Sequence, residues 1–318
     1  MTPATETDGQ PAPVVFPVLG LLLAVAVASS AVTFIKLSAV NPLLLAGYRL
    51  VLAALVLSPV FFVLLRKHRE VYHWSHLRRS LTPALLLAVH FMSWNLAARW
   101  TTAPNGTLIV NLAPIAMPFF LWLFLREVLN RGEILGTVIA VGGLVLLKAG
   151  DFALGLDTLA GDVTAFLSMC VFAAYLTLGR KNRDFPSIWL YVIPLFFVAG
   201  LICFAVGVPV VLLTEAEAVT GQGDIWLYPK NEYIWILALT LIPTVIGHSV
   251  FNLALRRLRG QVVTLCNTLQ FVSASAIAYF VWGEAEAPST VFYFAAPIVV
   301  AGAVISVRAQ IKAAESGG

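Results

Sequence analysis

Charge is scarce in this chain. Only 11% of its 318 residues are Asp, Glu, Lys or Arg, against roughly 25% in soluble proteins, while 60% are hydrophobic. That leaves too little polar surface to cover a water-facing globule, and the mean hydropathy of +0.90 points to lipid as the main solvent. Acidic residues are missing where they would matter most: no Asp or Glu falls within the core of any apolar span. A midplane carboxylate therefore cannot be a proton or sodium site. The three cysteines, Cys170, Cys203 and Cys266, each sit inside an apolar stretch, which suggests neither a disulfide framework nor a metal site. There is no His-Glu-x-x-His zinc motif, no midplane Asp for a protease dyad and no Gly-x-x-x-x-Gly-Lys-Ser/Thr phosphate loop. These absences argue against an intramembrane enzyme and against ATP-driven transport. No cofactor is expected.

What the chain does have is length of apolar run. A helix needs about 20 apolar residues to cross the hydrocarbon, and dividing the chain at charges and turn residues yields ten spans. They run approximately 16–37, 43–65, 81–98, 104–125, 132–149, 161–179, 187–213, 233–255, 260–282 and 290–308. The polar ends, 1–13 and 309–318, read as mobile cytoplasmic tails. Ala26-Val27-Ala28 resembles a signal-peptidase site, but the preceding segment carries Glu6 and Asp8 and no Lys or Arg, so span 1 is expected to remain in the mature protein.

The formal charge is +4, yet the basic residues sit in short clusters between spans rather than along one face, so nucleic acid is not the expected partner. The clusters set topology instead. Fifteen of the 20 basic residues, including Arg66, Arg79, Arg126, Arg180 and Arg259, fall in alternate loops, while the longest opposite loop carries Glu215, Glu217, Asp224 and Glu232. The positive-inside rule then puts both termini in the cytoplasm. Seven of the eight Trp residues lie at span ends or in loops, as an interfacial belt requires; Trp94 is the exception.

Sliding the chain over itself by 157 residues pairs Asn95-Leu96-Ala97 with Asn252-Leu253-Ala254, Arg99 with Arg256, Thr107-Leu108 with Thr264-Leu265, and Glu127 with Glu284. Upstream the offset falls to 144, pairing Pro42 with Pro186. Five spans are thus duplicated, in 14–150 and 158–308. An odd number forces the second copy to enter from the other side, an arrangement that lets secondary transporters expose one central site to either face.

With these features in place the chain resembles the EamA-type members of the drug/metabolite transporter superfamily. The resemblance rests on Pro42 to Arg49 opening span 2, Leu112-Ala113-Pro114 followed by Glu127, Gly136 and Gly143, Gly161-Asp162 opening span 6, and Glu284 ending span 9. It implies ten helices in two inverted five-helix repeats, a cavity lined mainly by spans 3, 4, 8 and 9, and transport of small metabolites, often outward. Phe271 stands where the family commonly has a second copy of Pro114, which predicts a span 9 straighter than span 4.

Candidate site residues follow from depth. His90 lies 11 residues after Arg79 and 9 before Arg99, roughly 14–17 Å from either interface. His248 aligns one position after it in the repeat. Either imidazole could couple a proton or hydrogen-bond a substrate, or simply bond a neighbouring backbone group. Arg49 sits about 10 Å inside the outer end of span 2, and its repeat partner is the apolar Ile193; it suits a carboxylate or caps helix carbonyls. Lys36 reads as snorkelling to the interface. Trp94 follows His90 by one turn and could wall the site. Asn111, Asn252, Asn267 and Gln270, with Tyr175 and Tyr279, either bind solute or join helices. Glu127 and Glu284 read as structural ion partners, and Gly132, Gly136 and Ala140 as a packing stripe.

The expectation is an all-α polytopic membrane protein that carries a small organic solute, such as an amino acid or related metabolite, by alternating access. Its partners are that solute and the bilayer. Facilitated diffusion and histidine-linked proton exchange both fit. A channel is the alternative on hydropathy alone.

Overall fold

A computed structural model describes residues 15–101, 103–149, 156–214, 227–283 and 290–316. The expected tail 1–13, the loop acids Glu215, Glu217 and Asp224, and Glu284 lie outside the described residues. The described chain is all helical. Nine stretches among the described residues are long and apolar enough to cross a bilayer. The tenth span is the 19-residue helix Arg131–Ala149.

In chain order, span 1 is α1 (Val15–Ala28) and α2 (Ala31–Leu37); span 2 is α3 (Pro42–Lys67); span 3 is α4 (Trp74–Trp100). Span 4 is α5 (Ala103–Asn111) and α6 (Ala113–Leu125), and span 5 is α7 (Arg131–Ala149). The second copy has α8 (Leu156–Lys181) and α9 (Ile188–Leu213) as spans 6 and 7. Span 8 is α10 (Lys230–Leu239), a π-helical stretch (Thr240–His248) and α11 (Ser249–Leu255). Spans 9 and 10 are α12 (Gly260–Asn267) with α13 (Gln270–Trp282), and α14 (Thr290–Ser316). Apolar side chains such as Leu55, Phe62, Leu213 and Phe280 cover the outside of the bundle, which is the surface a lipid solvent selects.

The two copies repeat in their joints as well as their lengths. At the end of α4, Arg99 Nη2 donates to Ser38 O and Val40 O at 2.6 and 2.7 Å, clamping the link between spans 1 and 2. Its repeat partner Arg256 donates to Phe185 O at 2.9 Å, in the link between spans 6 and 7. Arg79 forks onto Asp184 at 2.9 and 2.6 Å across the same end. That hydrogen bonding holds the Asp184 carboxyl below its ordinary range, so the pair stays charged well into mildly acidic conditions.

Span 9 is not straighter than span 4. Leu112 and Leu269, matched by the 157-residue offset, each stand at the N-cap of the second half-helix. In span 4 Pro114 enters the first turn of α6, where its missing N–H costs nothing. In span 9 polar side chains do the same work without proline: Thr268 Oγ1 donates to Leu265 O at 2.6 Å, and Gln270 Nε2 to Asn267 Oδ1 at 2.5 Å. Local side-chain bonds of this kind compete with the helical ladder. The expected tail is also revised, because residues 309–316 continue α14, and Gln310 Oε1 accepts from the Arg259 N–H at 3.1 Å.

Candidate functional site

Three interrupted helices and the π-helical stretch meet around one cavity near the middle of the bundle. Its lining includes Ser29, Arg49, His90, Phe91, Trp94 and Thr107 from the first copy, and Phe172, His248, Phe251, Asn267 and Gln270 from the second. The volume is about 40 Å³, room for about three waters. Irregular backbone at membrane depth is tolerated where protein or a cavity satisfies it. Here Ser29 Oγ bonds both Val25 O at 2.8 Å and Gln270 O at 3.2 Å, pinning the break in span 1 to the start of α13.

Arg49 enters from α3, whose start is set by Pro42 in the first turn and by Asn41, which accepts from Leu43 N at 3.0 Å. Two turns later the Arg49 side chain is fully buried. Its Nε donates to Thr244 Oγ1 at 2.9 Å, and Thr244 in turn donates to Leu239 O, five residues back, at 2.8 Å. The π-helical turn thus presents the oxygen that orients the guanidinium. The charged group lies 4.1 Å over the Phe91 ring, a partial compensation. Nη1 and Nη2 have no hydrogen-bond partner, and among the described residues no Asp or Glu lies within ion-pair distance of Arg49.

His90 is held by Ser168: its Nδ1 is 2.9 Å from Ser168 Oγ and 3.2 Å from Ser168 O. The ring stacks on Phe172 at 4.6 Å. His248 lies across from it, ring centroids 6.4 Å apart, and 4.8 Å from Phe91. His248 Nδ1 has no partner among the described residues. Asn267 Nδ2 reaches Asn111 Oδ1 at 3.4 Å, so Asn111 stands behind the cavity wall rather than in it.

The structure therefore brings together Arg49, His90, Trp94, His248, Asn267 and Gln270. It does not bring in Asn252 and Tyr175, which bond each other at 2.5 Å; Asn252 Nδ2 also donates to His248 O at 2.8 Å. These two support the turn that carries His248. Tyr279 sits on an outward face of α13, 40% exposed, because span 9 is rotated so that Gln270 and Ala274 face inward. Sequence reasoning passes over Ser29, Thr244 and Ser168. Small polar residues inside apolar spans, notably Ser29-Ser30 and Pro243-Thr244, are the signal that marks the first two.

The model of the EamA-like transporter family matches residues 15–149 and again residues 159–308. No curated protein matches the chain. Among solved structures, one crystal structure superposes with a TM-score of 0.67 at 17% identity, covering 92% of this chain and 96% of the other; this likeness shows the fold alone.

Proposed function

The chain belongs to the EamA-like transporter family, a group of multi-pass membrane proteins, and from that premise we propose that it carries small organic metabolites, amino acids or related solutes among them, by alternating access. The membrane is the bacterial cytoplasmic membrane, with the basic end of the bundle and both termini on the inner side. The observation that carries this reading is the buried polar cavity bounded by both repeats, where discontinuous helices turn donors toward one point.

Opening must alternate because both ends are bridged. At the basic end Arg259 joins Glu133 and Val128 of the first copy at 2.7 and 2.6 Å, and Gln261 Nε2 donates to Pro114 O at 3.1 Å. At the other end Glu232 accepts from Ser38 Oγ and Ala39 N at 2.8 and 3.0 Å. A cavity of about three waters admits an organic solute only when one of these sets parts. His90 and His248 are the groups through which proton exchange would run; without it, transport is facilitated diffusion.

Solute counterflow in proteoliposomes tests the carrier. Vesicles preloaded with a transported solute should accumulate the labelled form transiently, whereas ion leak with no counterflow of any solute class would favour a channel. For coupling, the double variant His90→Ala/His248→Ala should keep counterflow at equal pH and lose accumulation driven by a pH gradient. Undiminished pH-driven accumulation would remove the histidines as proton carriers.

A further inference from the structure

We infer that the cavity selects solutes by a carboxylate, which Arg49 binds end-on through Nη1 and Nη2. This rests on the carrier reading and narrows it to a substrate class. An intramembrane cation is costly and persists where something is gained from it. A cap on helix carbonyls would account for Arg49 if Nη1 and Nη2 met backbone oxygens, but both are buried and unpartnered. The one bond the group makes, from Nε to Thr244, fixes the plane of the guanidinium and leaves its two-pronged end for a ligand. That end matches the geometry of a carboxylate, which takes two parallel N–H bonds. Arg49 lines the cavity together with Phe91, Trp94, Phe172 and Phe251, so an apolar body beside the carboxylate has rings to pack on. His248 Nδ1 is a further unpartnered polar atom on the same wall. Among the described residues no carboxylate lines the cavity, so a polyamine or quaternary amine would meet a guanidinium with no counter-charge. An amino acid would be held by its carboxylate end.

Full-length purified protein provides the test, through the shift of its apparent melting temperature with ligand, since a ligand that binds only the folded state raises it. The probes are hexanoate, benzoate and leucine, each beside its primary amide, with benzylamine and spermidine as cations. At least one acid should shift the melt at a concentration about tenfold or more below its amide, and the cations should not shift it. Arg49→Met should abolish the response to acids while the ligand-free protein melts at the same temperature or higher, because an uncompensated buried charge has been removed. Arg49→Lys should retain a response about tenfold weaker, as a point charge replaces the fork. Equal response to acid and amide in the unaltered protein overturns the inference without needing a variant. So does an Arg49→Met protein that melts lower yet still responds to acids, the signature of a structural arginine. If amides or amines bind and also undergo counterflow, the carboxylate inference fails while the carrier stands; absence of counterflow for every probe instead undermines the carrier.

Discussion

Arg259→Met should be among the most destabilising single changes in the molecule, costing about 3–5 kcal/mol. The Glu133 side chain is fully buried, and its Oε2 takes Arg259 Nη1 at 2.7 Å as well as Asn130 N at 2.9 Å. Its other oxygen has no hydrogen-bond partner. Removing the guanidinium leaves a buried carboxylate with half its compensation, which costs more than the pair itself contributes. Arg259 also bridges to Glu127 at 3.7 Å, and Glu127 lies 3.9 Å from Arg180, so four charges from both repeats share this end. The double variant Glu133→Gln/Arg259→Met should recover a large part of the loss, because Gln keeps the bond from Asn130 without the charge. Equilibrium unfolding in mixed micelles, run as a double-mutant cycle, measures the coupling. An Arg259→Met protein within about 0.5 kcal/mol of the parent, the range of ordinary surface changes, would mean that the ion cluster does not hold the repeats together.

Gly136→Ala should destabilise by about 1–3 kcal/mol, although Ala is the better helix former by about 1 kcal/mol. A Cβ there would stand 2.5 Å from Gly302 O and 2.9 Å from Ser306 N, both backbone atoms of α14 that no rotamer change can move aside. Gly302 faces the reverse restriction, with Ala140 N and Gly136 O at 2.5 Å from its would-be Cβ. Spans 5 and 10 thus meet backbone to backbone, the close approach that small residues permit between membrane helices. Gly142 lies on the same helix with nothing within 4 Å of an added Cβ. Gly142→Ala should therefore stabilise by up to about 1 kcal/mol. Melting temperatures of the two variants should move in opposite directions, and a shared direction would mean that helix propensity outweighs this contact.

That packing stripe is legible in the sequence itself, since small residues spaced by four in an apolar run have few other uses. The span limits are legible for a similar reason: lipid solvent sets helix length, so expectations such as 187–213 meet α9 at Ile188–Leu213. The breaks are not. Ser29-Ser30 and Thr268-Leu269 interrupt helices because their backbone and side-chain groups find bonds elsewhere, and one of those partners, between Ser29 and Gln270, lies 241 residues away. Phe271 does not mark a straight span for the same cause, as proline is only one way to end a ladder. Among the candidate polar residues, sequence depth places Asn252 and His248 alike near the repeat interface. Only helix rotation separates them, turning His248 to the cavity and Asn252 to Tyr175.

The sequence alone determined that lipid is the solvent, that ten spans arise from one duplicated five-span unit, and that no acid serves at mid-depth. These follow from composition, run length and periodic spacing, which are properties of the chain in one dimension. Only the tertiary structure decided that Arg49 has no counter-ion among the described residues. Its one bond joins residues 195 positions apart, and whether its other two nitrogens are satisfied depends on how the helices around the cavity are rotated. Bilayer thickness and hydropathy leave that rotation free, and it is set by side-chain packing between helices.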